Sequence, residues 1–287
     1  MARYSIKDLE HLSGIKAHTI RIWEKRYNLL SPERTDTNIR YYSDDDLRHI
    51  LNVAMLVKHG YKISKVARYD GEKLQGEVLR IDQQTLSVEE QINRLVVAMV
   101  NFDTLNFENL LNQFIDQLGF EEAMQLVIFP FFHKIGLFWQ VGSIYAAHEH
   151  FVSNLVRNRL IRETVLVSDT GKSILFFLRE GEWHELGLLF YNYVAASDGL
   201  RNIYLGQSLP LADLCSIAQR YKFDYLCTWF VQSIEPEELW QYLSDLAQLF
   251  RSATVLISGS QLDGYRFKLP ANVRIVKDAA DFKKAIR

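Results

Sequence analysis

The sequence predicts an α + α/β multidomain chain: a winged helix-turn-helix head, a four-helix bundle and a doubly wound parallel sheet. Three observations predict it. Two short capped amphipathic stretches separated by a glycine precede a turn-rich aromatic segment, LLSPERTDTNIRYYS. Four helical patterns with short breaks fill residues 87–164. From residue 173 five short apolar runs, SILFFL, RNIYLG, DYLCTWFV, ATVLISG and VRIVK, alternate with helical stretches. With 287 residues, of which 48% are hydrophobic and 24% charged, the chain has room for several cores. The expected boundaries are 1–72 for the head, 73–86 for a linker, 87–168 for the bundle and 169–287 for the sheet.

In SIKDLEHLSG, Ser5 is an N-cap, Ile6, Leu9 and Leu12 form the apolar face, and Gly14 supplies the stop. In KAHTIRIWEKRYN, Ile20 and Trp23 lie on one face, so Trp23 is expected in the core, while Arg21, Lys25 and Arg26 stay on the other. A helix, a glycine turn and a basic second helix form the pattern whose second helix enters the major groove. Pro32, turn residues, Ile39, Tyr41 and Tyr42 then fit a hairpin wing, with Arg34 and Arg40 beside the phosphates. Ser43 and the acidic run Asp44–Asp46 start a further helix. The polar stretch DGEKLQGEVLRIDQQ is expected to be the linker.

The bundle helices are expected at Ser87–Asn101, Thr104–Leu118, Glu121–Phe138 and Ser143–Thr164. Strands alternating with helices predict an open parallel, flavodoxin-like sheet whose ligand edge is formed by GEWHELG, GQSLPL and SGSQLDG. In the first of these loops, His184 lies two residues after Glu182 and three before Gly187. The imidazole can face a ligand there, and glycine permits close backbone approach. Taken alone, E-x-H-x-x-G is a weak pattern, and a helix-capping histidine is the better reading of it.

Charge and cysteine content narrow the classes. The first 70 residues carry 13 Lys or Arg against 9 Asp or Glu, about +4, whereas the remainder sits near −6. Only Cys215 and Cys227 are present, both in apolar periodic stretches, which points to buried thiols and not to a disulfide framework. His148 and His150, two apart on a helix, face different ways, and no Cys or His cluster completes a zinc shell. No apolar stretch approaches a membrane span and the N-terminus has no apolar signal region, so a cytoplasmic, membrane-free protein is expected. No Ser-His-Asp set, P-loop or catalytic carboxylate pair can be defended, so no enzyme is expected.

The stretch TIRIWEKRYNLLSPERTDTNIRYYS resembles the winged-helix DNA-binding head of the MerR family of transcription regulators. The resemblance implies a homo-oligomer, dimer or tetramer, on double-stranded promoter DNA, acting on RNA polymerase indirectly. It gives Thr19, Arg21 and Lys25 to the groove, and Arg26, Arg34, Arg40 and Tyr41 to the backbone and wing. A bundle followed by a doubly wound domain is similar to the light-responsive, cobalamin-binding branch of that family, the CarH type. Within FWQVGSIYAAHEHF, Trp139, Glu149 and His150 stand at that branch's spacing. The resemblance implies a cobalamin cofactor, with adenosylcobalamin as the candidate form. Trp139 would shield the upper corrin face, the Glu149–His150 pair would lie near the upper ligand, His184 would bind cobalt from below and Glu182 would orient it. Gly187, Thr228, Gly259 and Ser260 complete the expected contacts.

The chain departs from this pattern at three places. Gln140 stands where the light sensors have a histidine, which puts photochemical locking in doubt. DYLCTWFV offers Thr228 and then Trp229 where relatives have a small serine, and Trp229 would fill the nucleotide-tail pocket if it faced it. The paired glycines after the fourth strand are Gly259 and Ser260. Two alternatives therefore stand beside corrinoid sensing. One is a regulator whose module has lost the cofactor and serves oligomerisation or another ligand, and the other is a cobalamin-dependent methyl carrier.

Overall fold

The computed structural model describes residues 4–34, 38–81, 87–140, 145–165, 171–262 and 268–287, with the side chains of 79 and 137–140 outside the description. The chain divides into two compact units, Met1–Leu155 and Val156–Arg287.

The first unit begins with α1, Ile6–Ser13, held by a reciprocal capping box between Ser5 and Asp8 and stopped by Gly14 in the left-handed region. Helix α2, Ala17–Tyr27, follows and ends on Asn28, also left-handed. Leu9, Leu12, Ile20 and Trp23 are buried, so the face expected from their spacing is the core face, while Ile6 is only half-buried. The wing is an antiparallel hairpin of β1, Glu33–Arg34, and β2, Arg40–Tyr41. Tyr4 bridges Tyr42 on its other side. A second capping box, Ser43 with Asp46, starts α3, Asp44–Lys58, and the short α4, Ile63–Val66, follows. The polar stretch after it carries helix α5, Gly71–Leu79, N-capped by Asp70.

Helices α6, Val88–Val100, and α7, Thr104–Leu118, match their sequence patterns to within a residue or two. The third expected helix is interrupted. It runs as α8, Phe120–Ala123, then five residues of π geometry, Met124–Ile128, then α9, Phe129–Gln140. Helix α10, Ala146–Glu163, completes the set.

In the second unit five parallel strands take the order β4-β3-β5-β6-β7, with β3 at Ser173–Arg179, β4 at Arg201–Leu209, β5 at Tyr225–Trp229, β6 at Thr254–Ser258 and β7 at Val273–Ile275. Helices α11 (Leu186–Ser197), α12 (Leu211–Arg220), α13 (Pro236–Leu249) and α14 (Ala279–Ile286) connect and follow them. Alternation sorts the strand residues. Leu175, Phe177, Leu226, Val255 and Ile257 share a core with Leu214 of α12 and Leu239, Leu243 and Leu246 of α13. The other face packs α11, where the Tyr191 ring stacks on Phe282 of α14 at 4.7 Å. Strand β4 corrects one expectation: it continues through Gly206–Leu209, four residues expected to be a loop. Positive φ at Gly206 and Ser208 and register shifts against β3 allow this continuation.

The order places the topological switch between β3, whose connection runs to β4, and β5, which begins the other half. A crevice is expected beyond the carboxyl ends of these two strands.

Candidate functional site

The loop after β3 is built on Glu182. Its side chain is fully buried yet accepts five hydrogen bonds. Oε1 takes the amides of Trp183 and His184, both at 3.0 Å, and Nδ1 of His184 at 2.6 Å. Oε2 takes the amides of Val231 and Gln232, at 2.9 and 2.7 Å, from the loop after β5. One carboxylate thus ties together the loops after β3 and β5. Burial pushes its pKa up, but the donors from His184, Gln232 and Val231 outweigh burial and hold it at about 2. A permanent carboxylate on Nδ1 fixes the imidazole proton there and leaves Nε2 as the lone-pair nitrogen, on a side chain 58% exposed.

Further contacts brace the same loop. Ser208 Oγ accepts from the Gly181 amide at 3.1 Å, and Gln207 Nε2 donates to the Trp183 carbonyl at 2.8 Å. Buried Glu185 accepts from Tyr204 at 2.8 Å and from Arg157 Nε at 2.5 Å. None of these partners belongs to the E-x-H-x-x-G pattern. The sequence signal for them is weak, since Val231 and Gln232 contribute backbone groups 49 and 50 residues away.

Gly187 opens α11 directly under Trp229. A Cβ on Gly187 would lie 2.5 Å from the indole, whose ring is 5.1 Å from that of Tyr191. Trp229 therefore occupies the space above the first turn of α11. Thr228, its neighbour on β5, points to the opposite layer by strand alternation, with Leu226 and Phe230. It is fully buried, and its hydroxyl has no partner among the described residues. The structure thus brings Glu182, His184, Gly187 and Trp229 to one edge and leaves Thr228 behind the sheet. Gly259, at φ 115°, fits against the Phe230 backbone, where a Cβ would lie 2.1 Å from the carbonyl oxygen; Ser260 begins a 3₁₀ turn.

In the first unit, Glu149 Oε2 lies 3.2 Å from Nδ1 of His150, whose side chain is 72% exposed. His148 is buried and stacks on Phe102, so the two histidines do face different ways. The Trp139 and Gln140 side chains lie outside the described residues. On the head, Arg21, Lys25, Arg26, Arg34 and Arg40 are exposed, and Thr19 and Tyr41 half-buried. Arg34 bonds Asn38, and Tyr41 bonds Glu33. Glu24 is a residue the motif did not single out. It accepts from the Tyr42 hydroxyl at 2.5 Å and meets Arg40 at 3.9 Å, tying the wing to α2. Among the described residues no three His, Cys, Asp or Glu side chains gather into a metal cage.

Residues 4–72 match the MerR HTH family regulatory protein model, and residues 91–162 match the B12 binding domain. The HTH-type transcriptional repressor CarH of Myxococcus xanthus is 27% identical over 267 residues, covering 90% of this chain and 89% of that protein. The chain thus joins a MerR-type head to a B12 binding domain match and is similar to CarH along most of its length. The repressor CarA of the same organism is 24% identical over 258 residues, with 88% and 85% covered. The regulator MlrA of Escherichia coli (strain K12) is 38% identical over 66 residues, 23% of this chain. The B12 binding domain match falls on α6–α10, while the His184 loop belongs to the sheet. No helix among the described residues is long and apolar enough to cross a membrane.

Proposed function

We propose that this MerR-type regulator binds promoter DNA through α2 and the wing and senses a corrinoid through the His184 loop. The observation that carries the corrinoid reading is the Glu182–His184 pair, a buried ionised carboxylate on Nδ1 of an imidazole whose side chain is more than half exposed. A corrin holds its cobalt within the cofactor itself, so the single imidazole of His184 would suffice as the protein's ligand. When bound, the corrinoid would supply a metal for His184 to hold and, in its adenosyl form, a light-cleavable cobalt–carbon bond. Glu182 holds the imidazole tautomer, and the Val231 and Gln232 amides hold Glu182. For the helical unit the resemblance assigns Trp139, Glu149 and His150 to the cofactor's upper side. Thr19, Arg21 and Lys25 are assigned to bases, and Arg26, Arg34, Arg40 and Tyr41 to phosphates.

The fit is divided. The His184 side suits cobalt, whereas Trp229 against Gly187 fills the space that the resemblance gives to the nucleotide tail. That contact favours a second reading, a regulator whose module no longer takes a complete cobalamin. The two separate by the absorbance spectrum of purified protein after incubation with adenosylcobalamin and gel filtration. Retained colour, lost in His184→Ala, supports the sensor. A colourless wild type that Trp229→Ser does not rescue rejects it. The methyl-carrier alternative finds no support in the repressor names of the long-range relatives.

A further inference from the structure

Helix α6 buries Ile92, Leu95, Val96, Ala98 and Met99, and in the middle of this apolar run it carries Asn93 and Arg94 side by side. Asn93 is buried, and its Oδ1 accepts from Lys134 at 2.8 Å, so its amide nitrogen is left to donate. Arg94 is half-buried and makes no hydrogen bond or ion pair to any described residue. Burial pushes its pKa down, and no carboxylate among the described residues offsets it. Both residues line a cavity of about 490 Å³ bounded by α3, α5, α6 and α7. Asn52 and His49 of α3 also line it. Its two carboxylates, Asp45 and Glu72, are exposed, and Asp45 is already engaged by Arg48. Burying part of a guanidinium without an acceptor is costly, and an anion entering the cavity would offset that cost. The volume exceeds that of a lone phosphate and falls within the range of about 300–1,000 Å³ typical of small-molecule sites.

We propose that this cavity binds a small organic anion, a carboxylate or a phosphate ester, through the Arg94 guanidinium and the Asn93 amide. The site is independent of the corrinoid loop. Because α3 belongs to the DNA-binding head, an occupant would touch the head and the helical bundle together.

The test is thermal-shift and calorimetric titration of the full chain with inorganic phosphate and with succinate, against sodium chloride at matched ionic strength. A saturable rise in Tm with phosphate, succinate or both is expected, and the arm that responds identifies the anion class. Arg94→Gln should weaken apparent affinity by about tenfold or more, as loss of a charge-assisted contact implies, whereas Arg251→Gln, in the other unit, should leave it unchanged. If Arg94→Gln does not fold, Asn52→Leu removes a polar wall of the cavity and should reduce the response. Chloride matching both anions overturns the proposal, as does an undiminished response in Arg94→Gln or in Asn52→Leu.

Discussion

Glu182 sets the behaviour of its loop more than His184 does. Replacing it with alanine leaves the amides of Trp183, His184, Val231 and Gln232 without their acceptor, at a cost of at least about 2 kcal/mol. Chemical denaturation of Glu182→Ala against wild type checks this, and the milder Glu182→Gln should keep part of the loss in hand. The pH dependence has a definite sign. The folded carboxylate titrates at about 2 against an ordinary 4.5, so its contribution, about 3 kcal/mol, is fully present above pH 4.5 and lost as pH falls towards 2. In Glu182→Ala the stability profile between pH 5 and pH 2 should flatten accordingly. On the head, Arg21 is exposed on α2. Arg21→Ala should lower promoter affinity by about 1–3 kcal/mol if it reads a base, and equally on all sequences if it holds phosphate. Titration against specific and scrambled duplexes distinguishes the two.

Between elements, the Trp229 contact gives a paired expectation. Gly187→Ala should destabilise the second unit, because its methyl would press on the indole, while Gly187→Ala with Trp229→Ser should recover most of the loss. Melting curves of the two variants decide it. The capped helices of the head were legible because Ser5, Gly14 and Ser43 act within three or four residues, where spacing is the geometry. Strand and helix alternation likewise exposed the parallel sheet. The continuation of β4 through Ser208 was not legible, since pairing with β3 there needs a positive φ at a non-glycine residue. Nor was the reach of Glu182 to Val231 and Gln232, because backbone amides carry no side-chain signature. Trp229 could be named but not aimed: one step along β5 separates the layer that holds Thr228 from the layer above Gly187.

For the whole molecule, charge is divided by sequence region, about +4 in the first 70 residues and about −6 in the rest. DNA affinity should therefore fall steeply with salt through the head's cations, and the logarithmic slope should drop by about one when Arg34→Ala or Arg40→Ala removes a phosphate contact. A dimer on a two-fold operator should protect two half-sites about one or more helical turns apart; protection of a single asymmetric half-site counts against it. A last consequence lies in the π-helical segment Met124–Ile128, which precedes Pro130. Each residue advances an α-helix by about 100°, so the widened turn acts as a phase shifter for everything downstream on the same rod. Deleting one residue there would restore uniform winding and swing the Trp139-bearing end of α9 about a quarter-turn around its axis, altering which way that end faces while leaving its composition untouched.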